Sequence, residues 1–209
     1  MPNRRSFLKT TSLAASAVAL TSPAGAENHS VLKNTRPDTF RKQLQQCLGG
    51  PWPDPIDLNV NIRSSETVEG ITRITLIYEL EPGDHCPAIL LIPDQVDASH
   101  PAPAVAIWHQ HAGQYHLGKS EPAGLAGNPM HHTGLALAKL GYVVLCPDAL
   151  CFEERQDSEG KLKGMQYERF EFLRYTVSGK CMAWKNILDM KRAVDFLVSR
   201  PEVLSDRMG

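Results

Sequence analysis

The chain has 209 residues, of which 42% are hydrophobic, and its net charge is −1 with histidine neutral. Residues 1–26 hold three basic residues and no acidic one, so without them 19 Lys and Arg face 23 Asp and Glu, a net charge of −4. This balance excludes nucleic acid as an expected partner, because nucleic-acid binding requires a basic face. The 15 prolines and 15 glycines indicate many turns and argue against a helical bundle.

The first 26 residues have the features of an export signal. Arg4-Arg5 is a twin-arginine block, residues 13–20 are a short apolar stretch, and Ala24-Gly25-Ala26 supplies small residues for cleavage. The apolar stretch is shorter than the roughly 20 residues of a membrane-spanning helix, so no stable membrane anchor is expected after cleavage. We therefore expect the twin-arginine export machinery as a partner and a periplasmic or secreted location.

Residues 27–69 are predicted to form an N-terminal helix and a Pro-rich connector. After a tail at 27–35, residues 36–48 have helical spacing, and Gly49-Gly50 ends the helix. The prolines of residues 51–55 exclude both a helix and a central strand.

A domain is predicted over residues 70–209, and it begins with an antiparallel hairpin. Residues 70–80 alternate in polarity, with one face expected to be buried, and the apolar run 88–92 is the expected partner strand. Residues 104–108 are apolar throughout, which is typical of a strand buried on both faces of a parallel sheet.

The second half of this domain alternates strands and helices. Residues 130–140 are predicted to be a helix, 142–146 a buried strand, 149–178 a long charged excursion, and 180–199 a helix. The apolar face of the last helix is predicted to consist of Trp184, Ile187, Leu188, Val194, Leu197 and Val198. This order predicts the α/β class with right-handed crossovers.

The five cysteines contain no C-x-x-C pair, and their number is odd. We expect buried free thiols, although an oxidising compartment would permit a disulfide, for which Cys146 and Cys151 are the pair to test.

Residues 113–120 match the phosphate-binding pattern G-x-x-x-x-G-K-[ST] and follow a predicted strand. Such a loop must lead directly into a helix whose N-terminus holds the phosphates. Here Pro122 and Pro129 and two glycines interrupt the following ten residues. Nucleotide binding is therefore a disfavoured alternative.

The turn His109-Gln110-His111-Ala112-Gly113 lies at the predicted carboxyl end of a buried strand, where open α/β sheets place their sites. A tight turn of this kind exposes backbone N–H groups that can stabilise an oxyanion. Its two histidines, with His131-His132, could alternatively bind a metal, but no carboxylate stands at a companion spacing. We expect neither a metal nor a cofactor.

This turn, together with Lys119-Ser120-Glu121, resembles the oxyanion turn and following Lys-Glu of α/β-hydrolases, in particular the dienelactone hydrolase and acetyl xylan esterase group. Residues 141–148 resemble the next strand of those enzymes, and residues 189–209 resemble the approach to their Gly-x-Ser-x-Gly elbow. The resemblance covers roughly residues 70–209. Gln110 departs from it, because the group usually has glycine there.

The resemblance implies the N-terminal half of an α/β-hydrolase fold with an incomplete sheet. It implies a serine esterase whose substrate is a small-molecule or carbohydrate ester, for example an acetylated carbohydrate. The backbone N–H of His111, with Gln110 as second choice, would form the oxyanion hole. The nucleophile is expected after Gly209, so no catalytic residue is assigned here and the polypeptide is expected to be a catalytically incomplete fragment. A non-catalytic binding module is the alternative.

Seven further residues are candidates for contact with substrate, because they lie in or shortly after the turn, or in the segment that follows the second parallel strand. They are His109, Tyr115, Lys119, Asp148, Glu153, Glu154 and Arg155. For residues 153–155 a salt-bridged, solvated loop is the alternative, and the one we favour.

Overall fold

The computed structural model describes residues 37–209, and Lys42–Gly209 form one unit by their contacts. The predicted signal at residues 1–26 and the predicted tail at 27–35 lie outside the described residues. Within the described part, no helix is both long and apolar enough to cross a membrane.

Residues 37–209 form helices and strands in mixed order. The helices are α1 (Pro37–Leu48), α2 (Thr133–Lys139), α3 (Met165–Val177) and α4 (Met182–Val198). The strands are β1 (Asn61–Val68), β2 (Ile71–Glu81), β3 (Asp84–Pro93), β4 (Ala102–Ala106), β5 (Val143–Pro147) and β6 (Val203–Met208). Two short 3-10 helices span Pro129–His131 and Glu153–Arg155.

The strands form one mixed sheet in the order β1-β2-β3-β5-β4-β6. β1, β2 and β3 are antiparallel neighbours, β3 is antiparallel to β5, and β4 is parallel to both β5 and β6. The predicted hairpin and the predicted parallel pair are therefore confirmed, with Ala104 opposite Val143. β4 begins at Ala102, two residues before the predicted start, because Ala102 already pairs with Val203 of β6.

The main core lies between the hairpin and α4. Alternate residues of β2 are buried, as its alternation predicts, and Tyr78 stacks on Phe196 with ring centroids 5.4 Å apart. The predicted apolar face of α4 is partly wrong, because Val194 and Val198 are 42% and 50% exposed. The buried stripe of α4 instead includes the charged Lys185, Asp189 and Arg192. The amphipathic pattern placed those charges in solvent, whereas ion pairs and hydrogen bonds hold them inside.

Two elements have no counterpart in the sequence prediction. β1 lies in the predicted connector, and its side chains are all exposed, so backbone pairing with β2 holds this edge strand. α3 lies in the predicted excursion, where only Glu171 and Tyr175 of the helix are buried. Neither segment has the hydrophobic periodicity by which an element is recognised.

The five cysteines are free thiols, of which Cys86, Cys146 and Cys151 are buried, as expected, whereas Cys47 is exposed and Cys181 is half-buried. Cys146 packs under α2, where a side chain on Gly134 would place its Cβ 2.8 Å from the Cys146 Sγ. The glycine therefore sets the close approach of α2 to the sheet.

Candidate active site

The loops that follow β4 and β5 meet at one edge of the sheet. Because β4 and β5 are parallel neighbours, their carboxyl ends lie side by side, and the His-rich turn comes next to the segment that begins at Asp148. The backbone N–H of Glu153 donates to the Tyr115 carbonyl at 2.9 Å, which ties the two loops together.

His109 is held as a neutral imidazole. Its Nε2 accepts a hydrogen bond from the backbone N–H of Ala149 at 3.3 Å, so Nδ1 carries the proton and donates to the Gln110 carbonyl at 3.2 Å. Burial lowers the pKa of His109, which favours the same neutral form. The ring packs on Phe152 with centroids 4.5 Å apart. His109 thus joins the two loops.

His111 and Tyr115 share one carboxylate. The His111 Nδ1 accepts from the Gly113 N–H at 3.2 Å, so its Nε2–H donates to Glu168 Oε1 at 2.9 Å. The Tyr115 hydroxyl donates to Glu168 Oε2 at 2.6 Å, and this bond raises the pKa of Tyr115 to about 12. Both rings also pack against Phe152.

Glu168 and Phe152 were not among the candidate residues. Glu168 lies on α3, for which the sequence carries no clear periodic signal. Its own pattern offers no reason to place this carboxylate 2.9 Å from a histidine 57 residues earlier. The available signal for Phe152 was an aromatic residue in the segment that follows the second parallel strand.

The turn carries backbone donors that remain free. Ala112 and Gly113 have φ angles of +40° and +69°, which make the turn tight. None of the hydrogen bonds among residues 37–209 uses the backbone N–H of Gln110 or of His111. A pocket of about 140 Å³ lies beside this turn. Its lining residues are His109, His111, Ala149, Leu150, Phe152, Glu168, Met182 and Asn186.

Lys119 lies at the centre of three carboxylates. Its side chain is 3% exposed, and its Nζ lies 3.0 Å from Asp148 Oδ2, 2.7 Å from Glu153 Oε1 and 2.7 Å from Glu154 Oε1. Oxygens of the three acids lie within 4.8 Å of one another, a spacing that could surround a cation. The ammonium group supplies that positive charge itself. The Lys119 ammonium pairs with each of the three carboxylates and thus occupies the position that a cation would take.

The ionisation of this cluster follows from burial and pairing. Burial raises the pKa of Asp148 to about 6, although Lys119 opposes the shift. Burial alone would lower the pKa of Lys119, but Asp148, Glu153 and Glu154 outweigh it and raise that pKa above its ordinary value. The lysine therefore stays charged.

The same contacts argue against nucleotide binding by residues 113–120. A phosphate-binding loop needs a free lysine and a helix directly behind it. Lys119 is buried among carboxylates, and residues 121–128 form turns rather than a helix. Ser120 is also engaged, because its hydroxyl donates to Glu153 Oε2 at 2.7 Å.

Arg155 is turned away from the pocket. Its side chain is 4% exposed, and its guanidinium donates to Asp189 Oδ2 at 2.7 Å and to the Asp148 carbonyl at 3.2 Å. The favoured interpretation of a solvated loop is therefore wrong for Arg155, because α4 supplies a buried partner 34 residues away. The structure thus brings eight of the nine candidate residues to the turn and its lysine cluster. Gln110 is exposed in the turn, and Arg155 braces the loop against α4.

His131 and His132 have separate partners. His131 Nδ1 lies 3.1 Å from Glu121 Oε1, and His132 Nε2 lies 3.0 Å from the Ala126 carbonyl. These contacts give each ring a structural role.

Comparison with known proteins supports the fold. No family model matches the chain. It is 35% identical over 173 residues to "Putative hydrolase YtaP" of Bacillus subtilis (strain 168), a match that covers 81% of the chain and 53% of the relative. The chain thus spans about half the length of this curated relative.

Two solved structures share the fold at 18% identity. The putative acetyl xylan esterase of Bacteroides fragilis NCTC 9343 superposes with a TM-score of 0.62, over 86% of this chain and 51% of that one. Acetyl Xylan Esterase 1 of Thermoanaerobacterium sp. JW/SL YS485 gives 0.52, over 74% and 44%. The chain therefore has the α/β fold of these esterases, with an unclosed sheet, as the sequence predicts.

Proposed function

We propose that the chain is part of an exported serine esterase that acts on esters of carbohydrates. The observation that carries this proposal is the pair of free backbone donors, on Gln110 and His111, in a turn beside a pocket at the carboxyl edge of the sheet. The hydrolase relative and the esterase fold support the reaction class. The structural neighbours are described as acetyl xylan esterases, so acetylated xylan is the substrate to test first.

In this proposal, residues 37–209 bind the ester and stabilise its negative charge. A serine hydroxyl attacks the ester carbonyl while a histidine takes its proton, and the carbonyl oxygen becomes an oxyanion. The N–H of His111 donates to this oxyanion, and that of Gln110 is the second donor. The serine, the acid and the base are assigned to positions after Gly209, as the resemblance implies. The hydrogen bond between His111 and Glu168 stabilises the conformation of the turn.

The test is ester hydrolysis by a protein in which these residues are followed by the proposed serine, acid and base, with residues 1–209 alone, which should show no turnover, as the control. We expect acetate release from acetylated xylan and turnover of p-nitrophenyl acetate. His111→Pro removes the backbone donor and should lower kcat by about 100- to 1000-fold. His111→Ala is the matched control, since it removes the imidazole but keeps the N–H, and should lower kcat much less.

Two results would contradict the proposal. Equal loss in both variants, at equal melting temperature, would show that the backbone N–H is not the donor. No turnover of any ester by the parent protein would favour the non-catalytic binding module.

Export is proposed from Arg4-Arg5 and the cleavage-type residues that follow. Replacement of both arginines by lysine should retain the protein in the cytoplasm, as measured by cell fractionation. Periplasmic recovery of that variant would refute the twin-arginine route.

A further inference from the structure

A second and larger cleft lies at the same edge of the sheet. Its volume is about 650 Å³, and it lies over the β2–β3 hairpin and the start of β1. The hairpin is at this edge because β3 runs antiparallel to β5, so the start of β3 lies beside the end of β5. Leu150 lines both this cleft and the smaller pocket, which makes the two cavities neighbours.

The charges that line the cleft are already paired. Arg63 of β1 makes a salt bridge to Glu154 across it. Arg155 lies 3.4 Å from Asp84, which also contacts a lysine of α4. Two cations and two anions therefore balance within the lining, and no unpaired charge is presented to a ligand. A charged ligand would have to break one of these pairs, so the electrostatics favour a neutral one.

Several uncharged polar groups of the cleft have no partner among residues 37–209. The side chains of Asn61, His85 and Ser158 and the hydroxyl of Tyr167 take part in none of the hydrogen bonds of that part of the chain. They provide both donors and acceptors. Tyr167 also contributes an aromatic ring to the lining of the cleft, and this ring stacks on Phe170 with centroids 6.5 Å apart.

This lining fits a ligand with many hydroxyl groups and small apolar faces. Hydroxyls donate and accept, as the amide, imidazole and hydroxyl groups of the cleft do, and the C–H face of a pyranose ring can stack on an aromatic ring. A purely apolar ligand would leave the polar groups unpaired, at a cost in affinity. We infer that this cleft binds a neutral oligosaccharide, alongside the pocket at the His-rich turn.

Oligosaccharide binding by the cleft does not require the proposed esterase activity. Only the biological role of this binding rests on the proposed function. If the small pocket holds the ester, the cleft holds the sugar units next to the esterified one. An extended chain would then lie across Leu150, from the turn towards β1. The acidic residues of the cleft would not bind the ligand, because they remain paired with their arginine partners.

Binding can be measured without any ester. We propose calorimetric titration of the full chain with unesterified xylohexaose and cellohexaose, and with hexagalacturonate as the anionic probe of equal length. At least one neutral probe should bind, and the anionic one should bind more weakly. Asn61→Ala and Tyr167→Ala should each weaken binding by about fivefold, roughly the effect of one lost hydrogen bond.

Matched variants separate the cleft from general effects. Ser65→Ala changes a neighbouring exposed residue of β1, and Phe172→Ala removes an exposed aromatic ring from α3, and neither residue lines the cleft. Both should bind as the parent does. Tyr167→Phe keeps the ring but removes the hydroxyl, so it should retain more affinity than Tyr167→Ala.

Three results would overturn the inference. They are no binding of either neutral probe, stronger binding of the anionic probe, and equal losses in the cleft variants and their controls. Because the probes carry no ester, failure here leaves the esterase assay untouched. Failure of the esterase assay, in turn, leaves the binding result standing.

Discussion

Replacement of Lys119 by methionine should strongly destabilise the fold near neutral pH. The variant keeps the volume of the side chain but removes the ammonium group that faces three carboxylates at 2.7–3.0 Å. Asp148, which is fully buried, then faces Glu153 without a cation. Removal of one partner from a buried ion pair costs about 3–5 kcal/mol. Glu154 is 38% exposed, so its share is small, below about 1 kcal/mol.

The cost should depend on pH with a defined sign. Burial already places the pKa of Asp148 at about 6, above its value of about 3.9 in the unfolded chain. Loss of Lys119 raises the folded pKa further, so the folded variant binds a proton that the unfolded variant releases. Between about pH 4 and 6 both proteins therefore lose stability together, and the variant loses stability relative to the parent as pH rises above about 6, until the pH exceeds the variant's own folded pKa.

Chemical denaturation at acidic and mildly alkaline pH would measure this difference in unfolding free energy. Lys139→Met is the matched control, because Lys139 is 51% exposed and pairs with the exposed Glu69. It should cost less than about 1 kcal/mol at either pH. Equal effects of the two substitutions, or a Lys119→Met cost that grows as pH falls, would refute this account of the cluster.

Three further substitutions have defined outcomes. Gly134→Ala should lower the unfolding free energy by about 1–3 kcal/mol, since the new Cβ would lie 2.8 Å from the Cys146 Sγ; an unchanged melting temperature would contradict this. Glu168→Gln should lower the pKa of Tyr115 from about 12 towards its ordinary value, as followed by ultraviolet titration of tyrosine, and an unmoved titration would mean that the hydrogen bond is absent. Trp184→Phe removes buried volume and a 3.0 Å hydrogen bond from the indole N–H to the Gly50 carbonyl. Urea denaturation should therefore show an unfolding free energy that is lower by about 1–3 kcal/mol. An unchanged unfolding free energy would exclude that hydrogen bond.

The local sequence pattern was sufficient to predict the helices and strands that bury a continuous apolar surface. Side chains that are buried on folding produce a pattern in the sequence. This pattern is the alternation in β2, the apolar runs of β4 and β5 and the long periodic segment of α4. The parallel pairing of β4 with β5 followed from the helical segment between them. These elements also placed the His-rich turn at the carboxyl edge of the parallel strands.

Tertiary structure alone decided the elements and contacts that depend on distant partners. All side chains of β1 are exposed, and backbone pairing with β2 holds the strand. Because no side chain of β1 has to be buried, its sequence shows no alternation of apolar and polar residues. Lys119 and Asp148 are 29 residues apart, and Arg155 and Asp189 are 34 apart. A charged side chain is expected in solvent until an opposite charge is known to meet it, because burial of an unpaired charge is prohibitively costly. Hydrophobic pattern is a local property of a chain, whereas charge compensation is a property of pairs that only the fold brings together.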